Sequence, residues 1–245
     1  MTQNIYDNDE FFKEYSQLER SLIGLAGAPE WPALRARIPD LKDKHVLDLG
    51  CGFGWFCRWA AEEGAASVLG LDLSENMLAR ARTSTQHATI AYRQADLDNA
   101  TFSKGDFDFA YSSLAFHYLE NLDKLFLEIN HALAPDGEFI FSVEHPLVTA
   151  PSKPAWLNEE GRTVWLIDDY LGLGSRTTDW LAPGVIKQHR TLAAYLNSLI
   201  DAGFAILHIE EWGPSQEQIA ARPEWAKERH RPPFLLVHAK KINAG

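Results

Sequence analysis

Short apolar runs alternate with longer segments of helical periodicity in the first two thirds of the chain. Five runs have the length and composition of buried strands: His45–Leu49, Ser67–Leu71, Ile90–Gln94, Phe107–Tyr111 and Glu138–Val143. Before the last run, apolar residues recur at helical spacing from Leu122 to Leu133 and stop at Pro135-Asp136-Gly137. Ser74 is placed to cap an earlier helix. This alternation predicts a parallel sheet covered by helices.

Two regions depart from the alternation. Residues 1–40 read as a helix followed by turns at three prolines, which predicts an N-terminal helical cap. Residues 146–188 are rich in Pro, Gly and Trp and lack a repeating pattern, as expected of a lid or substrate-binding insertion. The alternation resumes in residues 189–245, where it predicts a helix, Thr191–Ala202, and two strands, Phe204–Glu210 and Phe234–Lys240. We therefore expect one domain with residues 41–145 as its core.

The composition narrows the classes of function. The 245 residues carry a net charge of −11, which disfavours nucleic acid and anionic membrane surfaces as partners. No run resembles a signal peptide or is long enough to cross a bilayer. Two cysteines are too few for a disulfide framework or a zinc site, so we expect a reduced, cytoplasmic protein without a metal. The oligomeric state, monomer or homodimer, stays open.

The most informative motif is a glycine-rich turn after the first predicted strand. Gly50, Gly52 and Gly54 alternate with other residues, and Asp48 stands two positions before the first of them. A phosphate loop of the Walker type would end in Lys-Ser or Lys-Thr, and a dinucleotide fingerprint would read G-x-G-x-x-G. The carboxylate would repel a pyrophosphate but suits a ligand that carries an ammonium group. We therefore expect a nucleoside with a cationic tail, with a nicotinamide-dependent dehydrogenase as the alternative interpretation.

The sequence VLDLGCGFG resembles the first motif of class I S-adenosylmethionine-dependent methyltransferases. GLDLS, QADLD, FDFAYSSLAFHYL and LAPDGEFIFSV resemble the motifs that follow it in that family. Over its whole length, the chain also resembles uncharacterised bacterial small-molecule methyltransferases. The resemblance implies a Rossmann-like α/β sheet of seven strands, mostly parallel with an antiparallel last strand, and helices on both faces.

The resemblance also implies which residues hold the cofactor. Asp72 would accept hydrogen bonds from both ribose hydroxyls, and Asp96 would bind the adenine amino group. The full set of expected cofactor-binding residues is Asp48, Gly50, Cys51, Gly52, Gly54, Asp72, Leu73, Met77, Asp96, Leu97 and Ser112. S-adenosylmethionine would leave as S-adenosylhomocysteine.

Candidates for catalysis and acceptor binding follow the strands that end at the expected catalytic edge. His117 comes after the fourth strand and His145 after the fifth, where either could serve as a general base. Residues expected to contact the acceptor are Tyr15, Glu144, Trp165 and Tyr170. Asp168 and Asp169 are interpreted as turn or substrate-contact residues, not as a metal pair.

The predicted function is methyl transfer from S-adenosylmethionine to an oxygen or nitrogen of a small molecule. Two alternatives remain at this point: a protein or tRNA acceptor, and a protein that binds S-adenosylmethionine without turnover. A basic stripe near the catalytic edge would favour the first alternative. A lid that blocks the methyl group would favour the second.

Overall fold

The computed structural model describes residues 3–243 and contains eleven strands. Seven of them form the central sheet: β1 His45–Leu49, β2 Ser67–Asp72, β3 Ile90–Gln94, β4 Phe107–Ser113, β5 Leu133–Glu144, β10 Phe204–Trp212 and β11 Phe234–Lys241. Four short strands form two separate hairpins: β6 Trp156–Glu159 with β7 Arg162–Trp165, and β8 Gly174–Trp180 with β9 Ala182–His189. All seven strands predicted from the sequence are present.

The strand order of the central sheet is β10-β11-β5-β4-β1-β2-β3. The pairs among β1 to β5 are parallel, whereas β11 runs antiparallel to both β5 and β10. The last strand in the chain is thus the reversed one, and the predicted fold class is confirmed. Because β1, β2, β3 and β4 run in the same direction, the residues that follow them meet at one edge of the sheet.

Nine α-helices accompany the strands in the described chain: α1 Asp9–Tyr15, α2 Glu19–Leu22, α3 Trp31–Arg35, α4 Trp55–Glu62, α5 Glu75–Thr83, α6 Leu122–Ala132, α7 Pro146–Thr149, α8 Leu192–Asp201 and α9 Gln216–Ala221. The Ser74 hydroxyl accepts a hydrogen bond from Met77 N at 3.1 Å, as a helix cap should. Helix α6 ends before the expected Pro135 stop. Leu133 already belongs to β5, and Asp136 takes a left-handed φ of 63° where that strand is irregular.

Helices cover both faces of the sheet. One core cluster packs Leu125 and Phe126 of α6 and Leu199 of α8 against the sheet. The other packs Trp31 of α3 and Phe56 of α4 against the opposite face. The apolar sides of these helices account for their positions, because each removes its hydrophobic side chains from water against the sheet.

The N-terminal segment and the second hairpin lie together over the edge where the parallel strands end. Ile5 and Phe11 form a small apolar cluster with Ala182 and Val185 of β9. The Gln3 amide donates to the Gly184 carbonyl at 3.0 Å and accepts from Ile186 N at 2.9 Å. The sequence predicts a lid for residues 146–188 but no regular secondary structure within it. In the structure, this region forms α7 and the two hairpins. Among residues 3–243, no helix is long and apolar enough to span a bilayer.

Candidate active site

The glycine turn between β1 and α4 has a backbone conformation that residues with a side chain rarely adopt. Gly50, Gly52 and Gly54 have φ values of 79°, 52° and 71°. At Gly50, an added Cβ would lie 2.4 Å from the Cβ of Ala115, whereas at Gly52 it would meet nothing within 4 Å. The turn therefore leaves open space beside Gly52 for a ligand that contacts the backbone closely.

Asp72, at the end of β2, faces this turn. Its two carboxylate oxygens accept hydrogen bonds from Gly52 N at 2.8 Å and Ser74 N at 2.9 Å. Burial raises the pKa of Asp72 to about 6, and the nearby charge of Asp7 adds to this effect against the lowering by the backbone donors. The carboxylate is thus held in place at the opening of the turn.

A cavity of about 300 Å³ begins at these residues. Seven of the expected cofactor-binding residues line it: Gly50, Gly52, Asp72, Leu73, Met77, Asp96 and Leu97. Of the candidates for catalysis or acceptor binding, His117, Tyr15 and Glu144 also lie on its wall. One cavity therefore joins residues expected to bind a nucleoside to residues expected to contact an acceptor.

The other expected cofactor-binding residues are Asp48, Cys51, Gly54 and Ser112, and they support the turn from outside the cavity wall. Asp48 is 2 % exposed and accepts a hydrogen bond from the Cys57 thiol at 3.1 Å; burial raises its pKa to about 7. The Ser112 hydroxyl donates to the Leu49 carbonyl at 2.7 Å. A hydrogen bond with Cys57 lowers the pKa of Cys51, but burial and nearby carboxylates raise it to about 11 overall. The Cys51 thiol thus stays protonated at neutral pH.

His117 presents a neutral imidazole to the cavity. It lies in the 3₁₀ turn Phe116–Tyr118 after β4, is 2 % exposed, and its Nδ1 accepts from the Glu144 N–H at 3.4 Å. Burial lowers the pKa of His117 to about 4; Glu144 opposes this shift, whereas Lys187 and Arg190 favour it. A group with this pKa is a weak base at neutral pH.

Glu144, the last residue of β5, forms an ion pair with Lys187 of β9 at 2.6 Å. Burial raises the pKa of Glu144, but His117 and Lys187 outweigh it, so the net pKa lies below the ordinary value. Lys187 Nζ also lies 4.8 Å from the centre of the Trp180 ring, which is part of the cavity wall. This ion pair connects the second hairpin to the end of the cavity that contains His117 and Glu144.

The structure does not bring His145, Trp165 or Tyr170 to the cavity. His145 caps α7 by accepting from Leu147 N at 3.1 Å, and its Nε2 lies 2.8 Å from Glu211. Both ring nitrogens are therefore engaged away from the cavity, although the residue follows a strand that ends there. The end of β5 fixes the position of His145 in the fold, but the direction of its side chain follows from its role as the cap of α7.

Trp165 and Tyr170 belong to the packing of the insertion itself. Trp165 Nε1 donates to the Leu147 carbonyl at 2.7 Å, and the Tyr170 hydroxyl accepts from Leu192 N at 3.2 Å. Asp168 accepts two hydrogen bonds from Ser152, at 2.9 and 2.6 Å. Within residues 3–243, no group of three His, Cys, Asp or Glu side chains is arranged to hold a metal ion.

The sequence interpretation missed several residues of the cavity wall. The most informative is Arg20, whose Nη2 donates to both carboxylate oxygens of the fully buried Glu30 at 3.0 and 3.1 Å. The wall also has aromatic rings from Tyr6, Tyr118, Trp180 and Phe234. Tyr118 lies next to His117 in the motif FDFAYSSLAFHYL, whereas Arg20 and Phe234 stand in none of the motifs named above. Tyr6 and Trp180 belong to the two flanking regions, whose aromatic residues are candidates for a cap or a pocket lining from the sequence alone.

S-adenosylmethionine has a nucleoside, an ammonium group and a carboxylate, and this cavity can accommodate them beside its glycine turn and the carboxylates at the ends of β2 and β3. The reversed last strand of the sheet agrees with the same assignment. The arrangement is that of a methyltransferase that uses this cofactor. The sequence profile described as "Methyltransferase domain" matches residues 47–141. An S-adenosylmethionine-dependent methyltransferase of Mesorhizobium loti is 56% identical, with a TM-score of 0.86, over 89% of this chain and 100% of the other.

Two further relatives differ in how much of the chain they match. A protein of Haemophilus influenzae is 34% identical over 252 residues, which cover 98% of this chain and 97% of the relative. A malonyl-[acyl-carrier protein] O-methyltransferase of Enterobacter lignolyticus is 37% identical over 110 residues, only 45% of this chain and 43% of the relative. With the Mesorhizobium loti relative matched along its full length, the chain belongs to the S-adenosylmethionine-dependent methyltransferases.

Proposed function

We propose that this methyltransferase acts on a small-molecule acceptor that binds inside the cavity. The observation that carries the proposal is that the N-terminal segment and the second hairpin together cover the cavity; we call these two parts the roof. Hydrogen bonds of Gln3 with Gly184 and Ile186 hold the two parts together. Tyr6 and Trp180 of this roof line the same cavity as Asp72 and Glu144. A concave cavity covered on one side in this way suits an acceptor that enters whole, and the net charge of −11 offers little attraction to RNA.

The cofactor supplies an electrophilic methyl group on a sulfonium when it is bound. Asp72 would accept from the ribose hydroxyls and Asp96 from the adenine amino group. Arg20, a cation on the wall that also contains Gly50 and Gly52, would bind the carboxylate of the methionine part. Asp48 would contribute negative charge behind the turn, toward the ammonium group.

The protein's contribution to the reaction is alignment and exclusion of water. His117 and Glu144 would orient the acceptor at one end of the cavity. Tyr15 and Trp180 would provide aromatic faces, which favour a neighbouring cation such as a sulfonium. In-line displacement needs this fixed geometry more than it needs a strong base.

The test uses the purified protein and S-adenosylmethionine labelled on the methyl group. Calorimetric titration with S-adenosylhomocysteine should show binding that is lost in Asp72→Ala and retained in Glu62→Ala, a change at an exposed position. The protein is then incubated with a cell extract separated into small-molecule, protein and RNA fractions. Label in the small-molecule fraction supports the proposal. Label confined to protein or RNA would refute it.

A further inference from the structure

The acceptor end of the cavity offers a hydrogen-bond donor at His117. The ring is neutral, and its Nδ1 already accepts the Glu144 N–H, so its single hydrogen must reside on Nε2. Within the described chain, Nε2 makes no hydrogen bond. His117 lines the cavity, so this N–H is available to a ligand. The side chain is therefore suited to donate to an acceptor atom of the substrate and not to remove its proton.

Glu144 offers the complementary group. Its Oε1 receives the Lys187 ammonium at 2.6 Å, whereas Oε2 is buried and has no hydrogen-bond partner among the described residues. A buried carboxylate oxygen without a donor is costly, and a substrate that supplies one would remove that cost. Glu144 is a direct neighbour of His117, since its backbone N–H donates to the His117 Nδ1, and both residues line the cavity.

Two charged side chains on the cavity wall have partners of opposite charge. The Glu144 carboxylate is paired with Lys187, and the Arg20 guanidinium is paired with Glu30. An acidic acceptor would meet the Glu144 carboxylate, and a cationic acceptor would meet the Lys187 ammonium beside it. The pairs therefore favour a neutral acceptor.

The shape of the wall adds a further restriction. Rings of Tyr6, Tyr15, Tyr118, Trp180 and Phe234 line the cavity. Tyr6 and Tyr15 meet edge to face at 5.1 Å, and Tyr15 and Trp180 at 6.5 Å. Such walls pack well against a planar aromatic ring.

We propose that the acceptor is a phenol, whose hydroxyl donates to Glu144 and accepts from His117 Nε2–H. An amine nitrogen that donates to Glu144 needs its lone pair for the attack and has none left for His117, whereas a hydroxyl oxygen has two lone pairs. This inference rests on the proposed function and specifies the acceptor at the same site.

The step is balanced as follows. A bond forms between the phenol oxygen and the methyl carbon, and the bond from that carbon to the sulfonium sulfur breaks, with its electron pair remaining on sulfur. The phenol proton passes to Glu144 Oε2 as the oxygen becomes positive, and later to water. The products are an aryl methyl ether and S-adenosylhomocysteine.

The first experiment uses a panel of one- and two-ring phenols, each with the matching aniline and benzoic acid. Methylated products are measured by mass spectrometry at saturating S-adenosylmethionine, on a preparation shown to bind S-adenosylhomocysteine. At least one phenol should exceed its matched aniline and acid by about tenfold or more in kcat/KM. Faster reaction of an aniline or acid, or no methylated phenol from a protein that binds S-adenosylhomocysteine, would overturn the inference and leave the cofactor assignment intact. Absence of that binding would instead refute the proposed function.

The second experiment tests the role of Glu144 on the best phenol. Glu144→Gln should lower kcat about 100-fold while the Kd for S-adenosylhomocysteine stays within about threefold, which also shows that the variant is folded. Because this change leaves the Lys187 ammonium unpaired, the double variant Glu144→Gln/Lys187→Met serves as the matched control and should show the same loss. An acidic nitrophenol, already ionised in the assay, should lose much less rate. A parent-like kcat, or an equal loss for the nitrophenol, would contradict proton transfer to Glu144.

Discussion

A single nitrogen of Arg20, Nη2, contacts both carboxylate oxygens of Glu30, at 3.0 and 3.1 Å. Glu30 has no exposed surface, whereas the Arg20 side chain is 22 % exposed and lies on the cavity wall. One edge of the guanidinium thus satisfies a buried charge. The other guanidinium nitrogens make no hydrogen bond within residues 3–243, and under the proposed function they would bind the carboxylate of the ligand.

Arg20→Lys should weaken S-adenosylhomocysteine binding by about tenfold to 100-fold, because an ammonium cannot reach Glu30 and a ligand carboxylate with the same planar geometry. Binding of 5′-methylthioadenosine, which lacks the amino-carboxylate group, should change little. Calorimetry with both ligands makes the comparison. Equal weakening of the two would mean that Arg20 supports the fold and does not contact the carboxylate.

The affinity for S-adenosylhomocysteine should fall as the pH is lowered through about 6, the value to which burial raises the pKa of Asp72. Accepting both ribose hydroxyls requires the ionised carboxylate, so binding must release a proton from Asp72 below that pH, and the contribution of Asp72 to the affinity is fully present only above it. Kd measured between about pH 5 and pH 8 should show this acid limb. The limb should persist in Asp48→Asn, since Asp48 lies behind the turn. A flat profile for the parent protein would contradict the role of Asp72.

Gly50→Ala and Gly52→Ala form a matched pair in the same turn. Both place a side chain at a left-handed φ, a strain of about 1–2 kcal/mol. Only at Gly50 does the new Cβ meet another atom, Ala115 Cβ at 2.4 Å. Gly50→Ala should therefore lower the free energy of unfolding more, whereas Gly52→Ala should mainly weaken cofactor binding by filling the open space. Urea denaturation and calorimetry separate the two effects, and the reverse order of stability would be inconsistent with this packing.

Changing His145 should affect stability and spare cofactor binding. The ring caps α7 through Leu147 N, so His145→Ala should lower the free energy of unfolding by about 1 kcal/mol or more. His145→Asn, which can still cap, should lose less. Thermal melts measure the first effect and S-adenosylhomocysteine titration the second. A large loss of cofactor affinity in both variants would place His145 at the ligand after all.

The strands and the glycine turn could be predicted from the sequence because their signals are local. Apolar runs identified every strand of the sheet, and the resemblance of the motifs around Asp48, Gly50 and Asp72 to those of S-adenosylmethionine-dependent methyltransferases indicated the cofactor. Arg20 could not be identified in this way, since its position depends on Glu30 and on the fold of the N-terminal segment. Lys187 reaches Glu144 across 43 residues of chain, and burial does not alternate regularly along its strand β9, although it does along the paired strand β8. The direction of His145 depends on Glu211, again far away in sequence.

The contact of Gln3 with the hairpin couples two parts of the cavity wall. Its amide donates to the Gly184 carbonyl and accepts from Ile186 N, and the same strand holds Lys187 against Glu144. A displacement of the N-terminal segment would therefore also disturb the strand that carries the partner of the Glu144 carboxylate.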